Sequence, residues 1–246
     1  MKKILHTPIW NGYMWKLVMR LAIFILVFAY YIKDSDELAL LMTKPIWNGI
    51  GLLHVVWAVF MAMMIRHIFF PKKFTMALRK AKEVEYVEKQ NYDKLELYEY
   101  VHDQNIKAWQ VMLVWLCFNA IWGILYLTGI LDEADLLMLT LFYFLSDYIC
   151  ILFFCPFQTF MMKNKCCVNC RIYDWGHFMM FTPMLFIKNF FSWSLFFTSC
   201  VVLIHWELIY AKHPERFWSG SNQHLDCANC KDKICQMKKI MKQFKH

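Results

Sequence analysis

The sequence predicts an all-α fold, a polytopic integral membrane helical bundle of about six membrane segments with a small cytosolic Cys-rich element. Three observations predict it. Hydrophobic residues make up 59% of the 246 and aromatic residues 18%, with a mean hydropathy of +0.34, well above the roughly 45–50% apolar content of a soluble domain. The apolar residues come in blocks close to the ~20 residues needed to cross ~30 Å of hydrocarbon. Ten cysteines are present, and four of them form two Cys-x-x-Cys units, Cys167/Cys170 and Cys227/Cys230.

The first span is expected over residues 15–32, with Lys2, Lys3, Lys16 and Arg20 before or early in it. Met1 to Leu5 is basic, but the apolar run that follows has no early small-residue cleavage site, so this span is expected to be retained. A connection with Asp34, Asp36 and Glu37 leads to a second span over residues 46–70, whose far end carries Arg66, Lys72, Lys73, Arg79, Lys80 and Lys82. The positive-inside rule then puts the N-terminus in the cytosol and the first loop outside.

The third and fourth spans are expected over residues 108–130 and 136–160, joined by an external turn with Asp132, Glu133 and Asp135. Residues 71–107 between the second and third spans are hydrophilic. Phe74, Leu78, Ala81 and Val84 fall at helical spacing there, with a break at Gln90 to Asp93, which reads as one or two solvated cytosolic amphipathic helices without chemistry of their own.

A cytosolic loop with Lys163, Lys165 and Arg171 follows. Residues 172–187 include Pro183 and are short for a full crossing, as in a re-entrant or tilted half-helix. The last span covers residues 190–210. The tail after it is rich in lysine, and Ile234, Met237, Ile240, Met241 and Phe244 form an apolar stripe expected to lie at the membrane interface. The organisation is therefore two spans (1–70), a cytosolic amphipathic stretch (71–107), two spans (108–160), a Cys-rich loop (161–171), a short segment with the last span (172–211), and a Cys-rich basic tail (212–246). Both termini are cytosolic in this scheme, in a multi-pass protein of the cell membrane.

The net charge of +8 is dispersed over termini and loops, with no compact basic array interleaved with exposed aromatics. The lipid bilayer is thus the expected partner, and nucleic acid is not. Pro8-Ile9-Trp10-Asn11-Gly12 recurs as Pro45-Ile46-Trp47-Asn48-Gly49. Both copies read as helix entries with an interfacial Trp rather than as an internal duplication.

On this topology Cys155, Cys166, Cys167, Cys170, Cys227, Cys230 and Cys235 all fall at or beyond the cytosolic boundary, where the reducing compartment disfavours disulfides. A two-residue gap lets one tight turn aim two thiolates at a point, the usual way to hold a metal or cluster. The metal ligands expected are Cys167, Cys170, Cys227 and Cys230, with Cys166, Cys235 and Cys155 as further candidates. The Cys155-Pro156 pair and the Cys227-x-x-Cys230-x4-Cys235 spacing favour an iron-sulfur cluster, with zinc as the alternative.

Inside the membrane, Asp147 is the candidate of most interest, because a carboxylate there must be protonated, paired or in contact with water. Asn119 and Arg20 are the partners considered for it, and Cys150 continues its helix face toward Cys155. His54 and His67 lie about 140° apart on one helix, which argues against a shared haem, and His205 and Glu207 diverge similarly. Asp174 and His177, three residues apart, share a face beside the first Cys-x-x-Cys unit. With His213 and Glu215 they form a secondary set able to protonate a substrate or add a ligand. Glycine-rich phosphate loops, the GxSxG elbow and HExxH pairs are absent from the sequence. The resulting functional expectation is a membrane redox component that passes electrons to a partner protein or membrane acceptor. The alternative is a transporter or an assembly or sensor protein with a structural zinc site.

Overall fold

The structure is a computed structural model, and it describes residues 8–34, 38, 45–47, 50–69, 76–164, 166–230 and 235. Among them, five helices are long and apolar enough to cross a membrane. They are α1 (Pro8–Lys33), α2 (Leu52–Phe69), α4 (Lys94–Leu127), α5 (Glu133–Leu152) and α7 (Phe190–Lys212). Two shorter helices, α3 (Met76–Arg79) and α6 (Gly176–Phe181), complete the set.

Local chemistry fixes most of the boundaries. Asp93 caps α4 by accepting from the Leu95 N–H, Asp132 and Asp135 form a reciprocal capping box on α5, and Asn189 caps α7 through the Ser192 N–H. The break expected at residues 90–93 is present, with Asn91 in the left-handed region at φ 66°. No second break separates the hydrophilic stretch from the third span. Helix α4 runs for 34 residues, about 51 Å, so its first turns extend beyond a ~30 Å hydrocarbon slab. Helix α5 stops at Leu152. Pro156 cannot continue an α-helical ladder, and a π-turn over Phe157–Met161 follows in place of the helix expected to residue 160.

Of the one or two amphipathic helices expected over residues 71–107, the part after the break is helical as the first turns of α4, whereas before it the described residues form the single turn α3 and a 3₁₀ turn at Glu83–Glu85, with Lys80 buried at 1% exposure. The two copies of the Pro-Ile-Trp-Asn-Gly pentapeptide also part company. The first opens α1, whereas Pro45–Trp47 is strand β1 of a small antiparallel ribbon with β2 (Ile50–Gly51). The apolar tail stripe lies outside the described residues.

Every long element runs between the same two ends of the bundle. At one end Tyr13 of α1 meets Tyr173, His67 of α2 meets Asp174, and Tyr100 of α4 stacks on Trp218. At the other, Tyr31 of α1 donates to Asp135 at the start of α5, and Trp57 of α2 donates to Ser194 of α7. The segment over residues 172–187 is broken into a 3₁₀ turn (Tyr173–Trp175), α6, and a second 3₁₀ turn (Thr182–Leu185). It nevertheless runs antiparallel to α7 along most of that helix. Trp206 donates to the Arg171 carbonyl at one end, and Trp193 donates to the Leu185 carbonyl at the other. In between, Trp115 of α4 donates to Thr182 at 3.0 Å and the Phe178 and Phe196 rings touch. This broken segment is the centre of the largest apolar core, with Phe178, Met180, Phe181 and Met184 buried against Met64, Trp115, Leu136 and Val202.

Gly123 lets α4 approach that segment, since a Cβ there would overlap the Phe186 ring. Gly123→Ala is expected to cost about 1–3 kcal/mol by overpacking, read as a lower unfolding midpoint in detergent; an unchanged midpoint would show that Phe186 swings aside freely. The outer faces carry exposed apolar side chains such as Trp15, Leu26, Trp109, Leu113 and Phe197, as a lipid-facing surface requires.

Candidate functional site

Two clusters of ligand-type side chains lie at the same end of the bundle. The first is the cysteine cluster. Cys166 and Cys167 from the loop and Cys230 and Cys235 from the tail line one small cavity of about 10 Å³, together with Ala77, Val168 and Tyr173. Each Cys-x-x-Cys unit therefore contributes one member. Cys170 closes a turn by donating its N–H to the Cys167 carbonyl at 3.1 Å, but its side chain is buried toward the bundle among Val111, Met162, Trp206 and Phe217. Burial pushes its thiol up to about 12, so it is a neutral buried group. The Cys166 thiol is raised in the same way. Cys227 is exposed, and Cys155 accepts from the Gln158 N–H at 3.4 Å. The Cys167 thiol donates to the Gln158 side-chain carbonyl, also at 3.4 Å.

The hydrophilic stretch builds this cluster, a role its sequence does not announce. Lys80 donates to the Val168 and Cys170 carbonyls at 2.7 and 3.0 Å and lies over the Trp206 and Phe217 rings. Burial lowers its ammonium to about 8, with the nearby Cys170 and Cys166 thiols pulling the other way. The tail is held by backbone pairing: Lys89 N–H to Ser221 O and Gln223 N–H to Val87 O, both 2.9 Å. Asn222, fully buried, donates to the Glu85 and Arg216 carbonyls, and Lys89 pairs with Asp226 at 2.9 Å. Lys80→Ala leaves two loop carbonyls without their donor and is expected to cost about 2 kcal/mol. Faster thiol labelling of Cys170 than in the unsubstituted chain is the readout; identical rates would mean the loop holds itself.

Arg171 anchors the loop from the other side. It makes a bidentate pair with Glu207 of α7, in which Nη1 reaches Oε1 at 2.7 Å and Nη2 reaches Oε2. Trp175 donates to the same carboxylate at 2.8 Å, and the guanidinium lies 3.6 Å from the centre of the Tyr210 ring. Glu207 is thereby committed to Arg171 and Trp175, while His213 pairs with Glu215 at 3.3 Å.

The second cluster lies immediately inward. Asp174 Oδ2 is 2.9 Å from His67 Nε2, and the His67 and His177 rings are 5.6 Å apart. Among the described residues this trio is the group of three whose ligand atoms all lie within 4.8 Å of one another. Sequence spacing pairs Asp174 with His177 but cannot bring in His67, which comes from the last turn of another helix. His54, by contrast, accepts from the Gly51 N–H and packs on Phe191 at the far end of α2. Asp147 abuts Gly176, beside this trio, and is paired with Arg20 at 3.0 Å. The Arg20 guanidinium also donates to the Phe144 carbonyl and lies 3.9 Å from the centres of the Phe144 and Tyr148 rings. Asn119, the other partner considered for Asp147, instead accepts from Tyr143 and donates to the Trp115 carbonyl.

Tyr173, the residue before Asp174, lines the cysteine cavity with its side chain, and its hydroxyl meets that of Tyr13 at 3.1 Å. Comparison with protein-family models, with curated proteins and with solved structures found no match.

Proposed function

We propose that the chain is a multi-pass protein of the cell membrane, with both termini cytosolic, whose cytosolic face holds a thiolate-ligated iron-sulfur centre serving membrane-associated electron transfer to a partner protein or membrane acceptor. The observation that carries this reading is the single cavity lined by Cys166, Cys167, Cys230 and Cys235, two from the loop before the broken segment and two from the tail after α7. Arg79, Lys80, Arg171 and Arg216 stand at that end, while Asp132, Glu133 and Asp135 stand at the other, which supports the cytosolic assignment by the positive-inside rule. Counting the broken segment as a crossing gives six traversals.

The Cys155-Pro156 pair and the Cys227-x-x-Cys230-x4-Cys235 spacing support a cluster. The cavity volume favours a second reading, a transporter with a zinc clasp tying loop to tail, because about 10 Å³ suits one ion.

Metal analysis of anaerobically purified protein separates the two. Iron with acid-labile sulfide and a visible charge-transfer band is expected, lost on Cys167→Ser or Cys230→Ser and kept on Cys117→Ser. One colourless zinc would install the clasp instead, and equal metal retention in all three variants would remove the thiolate centre altogether.

A further inference from the structure

The geometry points to a second metal site, formed by His67, Asp174 and His177, that binds a divalent first-row transition-metal ion independently of the cysteines. Two imidazole nitrogens and one carboxylate oxygen converge there, from the last turn of α2 and from one turn of the broken segment. The donor set selects the class of ion. Imidazole with carboxylate suits Fe(II), Zn(II), Co(II) or Mn(II), whereas Ca(II) and Mg(II) want oxygen cages and Cu(I) wants sulfur.

The spacing fits as well. Adjacent ligands of one six-coordinate ion at 2.0–2.2 Å stand about 3 Å apart. His67 Nε2 and Asp174 Oδ2 are 2.9 Å apart, close to that edge length, and an ion would replace the hydrogen bond between them. Asp174 and His177 are three residues apart on one turn, which aims both across at His67. The side chains of His67 and Asp174 are 10% and 7% exposed, so a bound ion would be enclosed on the ligand side. Three protein ligands leave coordination positions open, as a site that handles water or a substrate requires. Beside it the Asp147 carboxylate is matched by Arg20, so Asp174, paired with His67, supplies the trio's carboxylate.

The test uses the full chain in detergent with Cys166→Ser, Cys167→Ser, Cys227→Ser, Cys230→Ser and Cys235→Ser, so that neither the cavity nor the exposed tail thiol can hold cobalt(II). The expected result is uptake of one Co(II) with weak ligand-field bands and no sulfur-to-metal charge transfer. X-ray absorption of that cobalt should show two imidazoles and no sulfur. Adding Asp174→Asn, which keeps size and hydrogen bonding, should weaken binding by about a hundredfold or more, and His177→Gln should do the same. No Co(II) uptake, a cobalt shell without imidazole, or unchanged affinity in either variant eluting as the parent does would overturn the site and leave His67 and Asp174 as a structural hydrogen-bonded pair. Because the parent lacks all four cavity cysteines, failure here is separate from failure of the thiolate centre.

Discussion

Arg171→Ala is expected to destabilise the protein by about 3 kcal/mol and to unlock the cysteine loop. The side chain is 5% exposed, so alanine removes both hydrogen bonds to Glu207 and the stacking on Tyr210 at once. Glu207 then keeps only the Trp175 N–H. Its side chain is 34% exposed, and that access to solvent trims the penalty of a fully enclosed orphan carboxylate. Arg171→Lys should recover less than half of the loss, because an ammonium cannot reproduce the two parallel bonds. Both variants are read from unfolding in graded denaturing detergent, with thiol labelling of Cys170 as a local readout. Labelling and unfolding should shift together. An Arg171→Ala chain that unfolds like the parent would show that the Trp206 bond to the Arg171 carbonyl alone holds the junction.

The long apolar helices were legible in the sequence because hydrocarbon imposes a length and a composition that no soluble helix need meet. The break at residues 90–93 and the acidic turn at Asp132 to Asp135, where Asp93 and Asp132 cap their own neighbours to start helices α4 and α5, were legible too. Lys80 was not, because a lysine among Lys and Arg residues reads as a solvated topology signal, and only the tertiary fold shows that it faces two carbonyls of a loop 88 and 90 residues away. Which cysteines line one cavity was not legible. Cys-x-x-Cys spacing says that two thiols share a turn; it does not say that Cys170 turns toward Trp206 and Phe217 while Cys166 faces the cavity. His67 escaped for the same reason. Its partners lie 107 and 110 residues away, and the search for a second ligand along its own helix led to His54, which faces Phe191.

Arg20 and Asp147 give the other large effect, and the order of the variants matters more than any one value. Arg20→Ala is expected to cost about 2–3 kcal/mol, because it leaves the Asp147 carboxylate, 33% exposed, without its counter-ion. Asp147→Asn should cost less than half as much. The guanidinium that remains still has the Phe144 carbonyl as an acceptor and lies over the Phe144 and Tyr148 rings, and an asparagine oxygen can keep accepting from it. The double variant should then be more stable than Arg20→Ala alone, since the orphaned charge has gone. Reconstituted into vesicles, Asp147→Asn also divides the two functional readings: an electron-transfer protein keeps its metal and its turnover, whereas a transporter using Asp147 on its permeation path keeps its metal and loses flux. If Arg20→Ala proves as stable as the parent and the double variant is no better, the two side chains do not form an ion pair within the membrane. The close fit of Asp147 against Gly176 would then have to come from packing of α5 on the broken segment alone.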